Sequence, residues 1–161
     1  MSRLSKVIAG GQTGVDQAAL RAALDAGLDV GGWCPPGRVC ESGVIPAVFP
    51  LRETPRERSE LAPDVPRSLR SEWNVRDSDA TLILEPAAST DPGTGWTRTC
   101  AHRYGRPTLT CDPEDPRAAS TIRSWLEVSK IGTLNVAGPS ERSSPGIHAR
   151  SYGVLVEVFS R

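Results

Sequence analysis

The sequence predicts an α/β fold in which a mainly parallel sheet of about five strands is covered by helices on both faces. Short apolar segments typical of buried strands alternate with segments of helical periodicity along the chain. Glycine clusters follow several of these strands, and parallel sheets bind ligands at the carboxyl ends of their strands. The 161 residues suit one domain, 1–161, with enough chain to bury a core.

The first elements are a strand at 6–9, a helix at 14–26 and a strand at 28–30. The helix is predicted because its apolar side chains recur at helical spacing on one face. That face consists of Val15, Ala18, Ala19, Ala22, Ala23 and Ala26. Gly27 follows as a typical helix stop.

Residues 35–66 are predicted to form a long loop region, because prolines and glycines recur through it without periodicity. Its role is open, and a lid-like connection is one interpretation. A helix is expected from 66 to 75, and the apolar segment 80–84 is the clearest strand.

The second half continues the alternation. A helix is predicted at 97–104, a strand at 108–111 and a strand at 133–137. Between them, Asp115-Pro116 has the pattern of an N-cap followed by proline at the first helical position, which predicts a helix reaching Ser129. Ser144-Pro145 repeats that pattern before the last helix.

Composition excludes several classes of partner. The chain holds 19 basic and 19 acidic residues, and the two charges are nearly balanced in each half. A nucleic-acid polymer or an anionic membrane surface is therefore not expected as a partner. The 15 glycines and 14 prolines together make up 18% of the 161 residues, above an average share of about 12%. They indicate either low complexity or loops with a specific purpose.

Four cysteines and two histidines occur without zinc-ligand spacing, so no protein-ligated metal is predicted. No apolar stretch is long enough for a signal peptide or a membrane span, and we expect a cytoplasmic protein with reduced thiols. Nothing marks either histidine as a catalytic base, and no catalytic residue is predicted.

The first glycine cluster, GGQTGVD at 10–16, lies between the first strand and the first helix. Glycines allow a tight turn and a close approach of the backbone, and the N–H groups of a helix N-terminus favour an anion such as phosphate. Local capping is the alternative, with Thr13 as N-cap and Asp16 completing a capping box.

The second cluster, PGTGWT at 92–97, follows the strand at 80–84 and precedes the next helix. It offers the same flexible backbone, hydroxyl groups and helix N-terminus. If the strands at 6–9 and 80–84 are neighbours, the two loops meet over one crevice at the edge of the sheet.

Two other segments carry polar residues near the same edge. WCPPGR at 33–38 could form a wall that brings the Arg38 guanidinium to an anion, or it could be a stiff surface turn. In that segment, Cys34 is the thiol expected nearest the crevice. Asn135 and Gly138 end the last strand and are expected to line the far edge of the crevice.

These motifs together resemble the putative molybdenum cofactor carrier family, within the wider LOG and SLOG group. The resemblance rests on GGQTGVD at 10–16, GGWCP at 31–35 with Gly37-Arg38, LRETP at 51–55, EWNVRDSD at 72–79 and LNVAGP at 134–139. It implies a Rossmann-like three-layer domain, usually a homo-oligomer. It also implies a bound phosphorylated pterin, the molybdenum cofactor (molybdopterin), or a nucleotide-like ligand.

We therefore expect a carrier that binds a phosphorylated small molecule at the glycine-rich loops. The expected contact residues are Gly10, Gly11, Gln12, Thr13, Gly14, Asp16, Cys34, Arg38, Arg70, Asn74, Arg76, Ser78, Gly93, Thr94, Thr97, Asn135 and Gly138. Arg70 and Arg76 are expected to supply positive charge to the phosphate.

Two alternatives use the same pocket: a nucleotide-binding sensor, and a nucleotide N-glycosidase of the phosphoribohydrolase type. In LOG enzymes, to which the chain is distantly similar, a glutamate after the glycine loop and an upstream arginine act on the glycosidic bond. Arg70 matches that arginine by its spacing to Ser78-Asp79. No acid follows Thr94 before Asp112, so a binding protein is expected rather than an enzyme.

Overall fold

A computed structural model of the protein describes residues 3–160. In chain order the elements are β1 (Lys6–Ile8), α1 (Val15–Asp25), β2 (Asp29–Gly31), β3 (Trp33–Cys34), β4 (Val39–Cys40), β5 (Gly43–Val44), β6 (Arg52–Glu53), α2 (Ser68–Arg76), β7 (Ala80–Leu84), α3 (Pro92–Arg103), β8 (Thr108–Cys111), α4 (Ala118–Ser129), β9 (Thr133–Ala137) and α5 (Ile147–Phe159). A 3₁₀ turn, Pro36–Arg38, separates β3 from β4.

The central sheet has five parallel strands in the order β2-β1-β9-β7-β8. This arrangement confirms the predicted fold class. The main core lies between the sheet and α1, α4 and α5, with Leu82, Leu134 and Val136 of the strands among its buried side chains. A separate cluster joins α2 to α3 through buried Val75 and Cys100, so these two helices form the other outer layer.

The strand order corrects one expectation. The two loops were expected to meet if β1 and β7 were neighbours, but both strands pair with β9 instead. β9 is therefore the central strand, and Asn135 and Gly138 lie in the middle of the crevice edge rather than at its far end. The loops after β1 and β7 still converge because they flank the end of β9.

Several helix starts differ from the predicted ones. α3 begins at Pro92, five residues earlier than expected, so Gly93 and Gly95 lie in its first turns rather than in a loop. The alternative of a capping box at α1, with Thr13 as N-cap, is wrong: Gly14 is the N-cap, with φ of 84°, and no side chain caps this end. α4 begins at Ala118, two residues after the proline expected to open it.

The long region after β3 is packed rather than lid-like over residues 39–51. Ile45, Phe49 and Leu51 are buried against Leu20 of α1 and against Cys34. Burial of three large apolar side chains stabilises this segment as part of the core. The short hairpin β4–β5 projects from it, with Val39 paired to Val44.

Candidate functional site

A cavity of about 210 Å³ lies at the carboxyl ends of β1, β7 and β9. It is bounded by the starts of α1, α2 and α3 and by the turn after β9. Its walls are formed by Gln12, Asp16, Glu41, Val65, Pro66, Arg67, Arg70, Ser71, Asp91, Pro92, Gly93, Thr94, Thr97, Ala137, Gly138, Ser140 and Ser143. Parallel α/β sheets place ligand sites at this edge.

Three helix N-termini therefore face one cavity. Backbone N–H groups at such ends have no partner within the helix, and the helix dipole makes the region favourable for negative charge. The N–H groups of Asp16 and Gly93 donate to no protein acceptor among residues 3–160. Both residues line the cavity, which leaves two backbone donors beside it.

Arg70 and Asp16 form a buried ion pair in the cavity wall. Nη1 of Arg70 lies 3.3 Å from Oδ2 of Asp16, and the side chains are 15% and 2% exposed. Gly10 makes room for the arginine, since a Cβ there would stand 2.2 Å from Nη1 of Arg70. Gly10 is thus required for the position of the guanidinium rather than for direct contact with a ligand.

Burial dominates the electrostatics of this pair. Desolvation raises the pKa of Asp16, and the charge of Arg70 and the N–H of Gln12 oppose that shift. Desolvation likewise lowers the pKa of Arg70, with Asp16 opposing it. Each buried group has lost the hydration that stabilises its charged form, and the charge of the other group compensates for that loss. Removal of one partner therefore leaves a strongly unfavourable buried charge.

Two buried nitrogen atoms in the cavity wall have no partner within the described chain, Nε2 of Gln12 and Nε of Arg70. Gln12 is 6% exposed. Its Oε1 accepts hydrogen bonds from the N–H groups of Thr13 and Glu41, at 2.9 and 2.8 Å, which fixes the amide with Nε2 as the free donor. A buried donor without an acceptor is costly, and a bound anion would satisfy it.

Glu41 is a site residue that the sequence did not indicate. Its carboxylate accepts hydrogen bonds from the hydroxyls of Thr13 (2.6 Å) and Ser140 (2.9 Å) and from the N–H of Arg142. Partial burial raises the pKa of Glu41, but these donors outweigh burial and the net shift is downward. Glu41 thereby ties the loop after β1 to the turn after β9.

Asp91 is the N-cap of α3 and the other missed acid. Its Oδ2 accepts from the N–H of Thr94 at 3.0 Å and from its hydroxyl at 2.9 Å. The hydroxyl of Thr97 donates back to the carbonyl of Gly93. An aspartate followed by a proline is typical of a helix start, with the aspartate as N-cap and the proline at the first helical position. The sequence could therefore have predicted the position of Asp91. Glu41 lies in the aperiodic loop region, where no such signal occurs.

The three carboxylates of the cavity are already engaged by protein donors, Asp16 by Arg70, Glu41 by hydroxyls and Asp91 by Thr94. The wall also holds unengaged donors: Nε2 of Gln12, Nε of Arg70 and two backbone N–H groups. Together with the guanidinium groups of Arg67 and Arg70, these donors can bind an anion although three carboxylates stand in the same wall.

Seven of the predicted contact residues line this cavity, namely Gln12, Asp16, Arg70, Gly93, Thr94, Thr97 and Gly138. Four others shape the floor next to it: Gly10, Gly11, Thr13 and Gly14. Gly11 and Gly14 have positive φ, and a Cβ at either would meet neighbouring atoms closer than 3 Å. Their role is close packing of the loop.

Cys34 and Arg38 do not line this cavity, unlike the positions expected for them. Cys34 is fully buried, and desolvation raises the pKa of its thiol. The guanidinium of Arg38 donates to the backbone carbonyls of Leu51, Ile45, Pro46 and Phe49. It holds the packed loop together, since a short turn after β3 points it into that loop.

The remaining four predicted residues also have structural partners. Asn74 bonds both backbone groups of Trp33, and Arg76 pairs with Asp77 and lies 4.7 Å from the ring centroid of Trp73. The hydroxyl of Ser78 donates to the carbonyl of Val75. Buried Asn135 donates to the hydroxyl of Thr81. None of the four lines the cavity.

The fold and the cavity define a Rossmann-like α/β protein with a donor-rich pocket at the carboxyl ends of its central strands. A family model described as the circularly permutated YpsA SLOG family matches residues 7–159. The chain belongs to this family, which confirms the SLOG relationship expected from the motifs.

The solved structures include a similar protein from Syntrophus aciditrophicus SB, named "Putative molybdenum carrier protein". It is 36% identical, the match covers 98% of this chain and 96% of that one, and the TM-score is 0.86. No curated protein matches the chain. The resemblance to molybdenum carriers that the motifs predict is thus confirmed, since a protein of that name is similar to this chain over almost its whole length.

Helices long and apolar enough to cross a bilayer do not occur within residues 3–160. Over the same residues, no three histidine, cysteine or acidic side chains come together as a metal site. The homo-oligomeric state and the cytoplasmic location stay predictions.

Proposed function

We propose that the protein carries the molybdenum cofactor and binds it by its terminal phosphate in the cavity at the ends of β1, β7 and β9. The observation that carries the proposal is the unpartnered, buried Nε2 of Gln12 beside three helix N-termini. Helix N-termini and fixed side-chain donors are the features by which proteins bind phosphate. The name of the similar protein from Syntrophus aciditrophicus supports molybdenum as the cargo.

In this proposal the residues act as donors around the phosphate. Gln12 and the backbone N–H of Gly93 donate hydrogen bonds, and Arg70 supplies charge from a position fixed by Gly10 and Asp16. Arg67 adds a second cation at the cavity wall. The bound cofactor would contribute its molybdenum and dithiolene chemistry, which the carrier protects and transfers.

The proposal is tested by introducing a negative charge at one position in α3. Gly93→Asp places a carboxylate at the cavity wall, and an acidic residue in the first helical turn does not oppose the helix dipole. Gly95→Asp is the matched control in the same helix, because Gly95 does not line the cavity and a Cβ there meets no atom within 4 Å.

Each protein is purified from a bacterial host that makes the cofactor, oxidised, and assayed for pterin fluorescence. We expect pterin in the unmodified protein and in Gly95→Asp, and at least about tenfold less in Gly93→Asp, because like charges repel strongly in a partly desolvated site. Absence of pterin from the unmodified protein, together with no uptake of added cofactor, contradicts the carrier proposal.

A nucleotide enzyme is the second candidate, and the position of Asp91 favours it. The expected acid after Thr94 is missing, but Asp91 lies in the same cavity as Arg70 from the other side of the glycine segment. In LOG enzymes, which the chain distantly resembles, an acid and an arginine act on the glycosidic bond, and a positioned carboxylate can serve as general acid or base. Release of free base from a panel of nucleoside monophosphates, lost in Asp91→Asn, would select this candidate over the carrier.

A further inference from the structure

Three of the sequence motifs contribute nothing to the wall of the phosphate cavity: GGWCP at 31–35, LRETP at 51–55 and EWNVRDSD at 72–79. Each of them contributes instead to a separate cavity of about 250 Å³, which we call the Trp33 cavity. It lies on β1, β2 and the start of β9, and Asp77, the C-cap of α2, stands in its wall.

Two cations in the Trp33 cavity are free. Gly31 leaves room for the Lys6 side chain, since a Cβ at Gly31 would stand 3.2 Å from Cε and 3.4 Å from Nζ of Lys6. The guanidinium carbon of Arg52 lies 4.4 Å from the ring centroid of Trp33. Within residues 3–160, neither cation donates a side-chain hydrogen bond or forms an ion pair. Both therefore have donors available for a ligand.

The one carboxylate in the same wall is already engaged. Oδ1 of Asp77 accepts from Nε of Arg76 at 2.8 Å, and Oδ2 accepts from Nη2 of Arg76 at 3.1 Å and from Nε1 of Trp33 at 2.8 Å. The hydrogen bonds from Arg76 lower the pKa of Asp77, and the one from Trp33 adds to that shift. With two cations and one anion among its described lining residues, the wall has a surplus of one positive charge.

The rest of the Trp33 cavity offers apolar surface in a fixed position. Ile8, Val30, Pro50 and the Trp33 ring line it. The ring of Trp73 packs against that of Trp33 at nearly a right angle, with 4.8 Å between centroids, so the indole wall is held in place. Drug-sized ligands occupy roughly 300–1,000 Å³, and this smaller space suits a molecule with a single ring.

We propose that the Trp33 cavity binds a small monocarboxylate with an apolar body, at a site independent of the phosphate cavity. The carboxylate lies between Lys6 and Arg52, and the apolar body packs against Trp33. A planar guanidinium matches the geometry of a carboxylate. A phosphate dianion fits less well, because it exceeds the surplus of one charge and stands near the negative, C-terminal end of α2.

The test follows the indole N–H signal of Trp33 by proton–nitrogen NMR, with the signal assigned from Trp33→Phe. The probes are benzoate, benzamide, acetate and inorganic phosphate. Benzamide keeps the ring without the charge, and acetate keeps the charge without the ring. We expect benzoate to shift this signal with a dissociation constant at least about tenfold lower than those of the other three probes.

A pair of lysine variants separates the local charge from the net charge of the protein. Lys6→Met keeps an unbranched side chain over Gly31 but removes the ammonium. Lys130→Met is the matched control, because Lys130 is the only other lysine, is exposed at the C-cap of α4 and does not line the cavity. We expect about tenfold weaker benzoate binding in Lys6→Met and in Arg52→Met, and unchanged binding in Lys130→Met.

Benzoate binding in the phosphate cavity is separated by Gly93→Asp, which should leave the Trp33 shift and its dissociation constant unchanged. The inference is overturned if benzamide or inorganic phosphate binds as tightly as benzoate, or if Lys6→Met and Lys130→Met bind it equally. Loss of the shift in Gly93→Asp, or no shift with any probe, overturns it as well. The carrier proposal is judged by its pterin content, so the two proposals fail independently.

Discussion

Two segments of this protein each follow a strand and contain glycine, but they have opposite roles. The first, residues 10–16, turns below the cavity and leaves room for Arg70, which keeps an unpartnered Nε at the cavity wall. The second, residues 33–38, turns away from the cavity, and Arg38 within it is engaged by four backbone carbonyls. The comparison teaches that an arginine near a glycine loop can bind a ligand only when its N–H donors are not already bound to protein acceptors.

The largest expected effect comes from Arg70→Met. Removal of the guanidinium leaves the Asp16 carboxylate buried without its cation, which costs about 3 to 5 kcal/mol of unfolding free energy. Chemical denaturation measures it. The double variant Asp16→Asn, Arg70→Met removes both charges and should recover most of that loss. Equal stability of the single and double variants would mean that the pair is not coupled as described.

Arg38→Met is expected to have the next largest effect. It should lower the free energy of unfolding by about 3 kcal/mol, because several buried carbonyls lose a charged donor. The segment that it holds is core, so the denaturation midpoint should fall. The folded protein should nevertheless bind its ligand with unchanged affinity, measured by calorimetry. A change in affinity comparable with that of an Arg70 variant would break the distinction between the two segments.

Substitution of one glycine in each segment sharpens the comparison at smaller cost. In Gly10→Ala the new Cβ displaces the guanidinium of Arg70 from its place beside Asp16, so we expect about tenfold weaker binding and a loss of stability smaller than that of Arg70→Met. In Gly37→Ala the Cβ has space, but φ is 82°, which costs about 1 kcal/mol of stability and leaves binding unchanged. Paired calorimetry and thermal melts measure both. The reverse pattern would assign the ligand to the second segment.

The smallest effect concerns Glu41, which follows the second segment and contacts Gln12 of the first. Its folded pKa is depressed below the ordinary 4.5. The charged form therefore adds stability above that pH, and the contribution is lost as pH falls through the lower folded pKa. Relative to Glu41→Gln, the unmodified protein should be about 1 kcal/mol more stable at pH 7. A difference that grows on acidification would contradict the hydrogen-bond account.

The sequence predicts the repetitive parts of this fold well, because buried strands and helical faces leave periodic patterns. The face of α1 and the strands at 80–84, 108–111 and 133–137 are found where they were expected. Strand order is not encoded by such local patterns. The insertion of β9 between β1 and β7 depends on packing of the whole sheet, and the sequence alone did not reveal it.

The candidate site was predicted in part for the same reason. Gln12, Arg70 and Gly93 were found because glycine segments follow strands and helices start beside them. Glu41 was missed because it reaches the site from the tip of a hairpin in an aperiodic region. Arg38 was expected at the site but lies outside the cavity, because the sequence does not distinguish a guanidinium that binds carbonyls from one that faces a ligand.

The central claim is that Arg70, and not Arg38, faces the phosphate of the ligand. It is tested most directly by the moles of phosphorylated pterin retained per mole of folded protein in Arg70→Lys and Arg38→Lys, purified from the same cofactor-producing host. Lysine keeps the charge but cannot reproduce the geometry of the guanidinium. We predict that Arg38→Lys retains pterin like the unmodified protein and that Arg70→Lys loses most of it. Equal retention by the two variants would contradict the account.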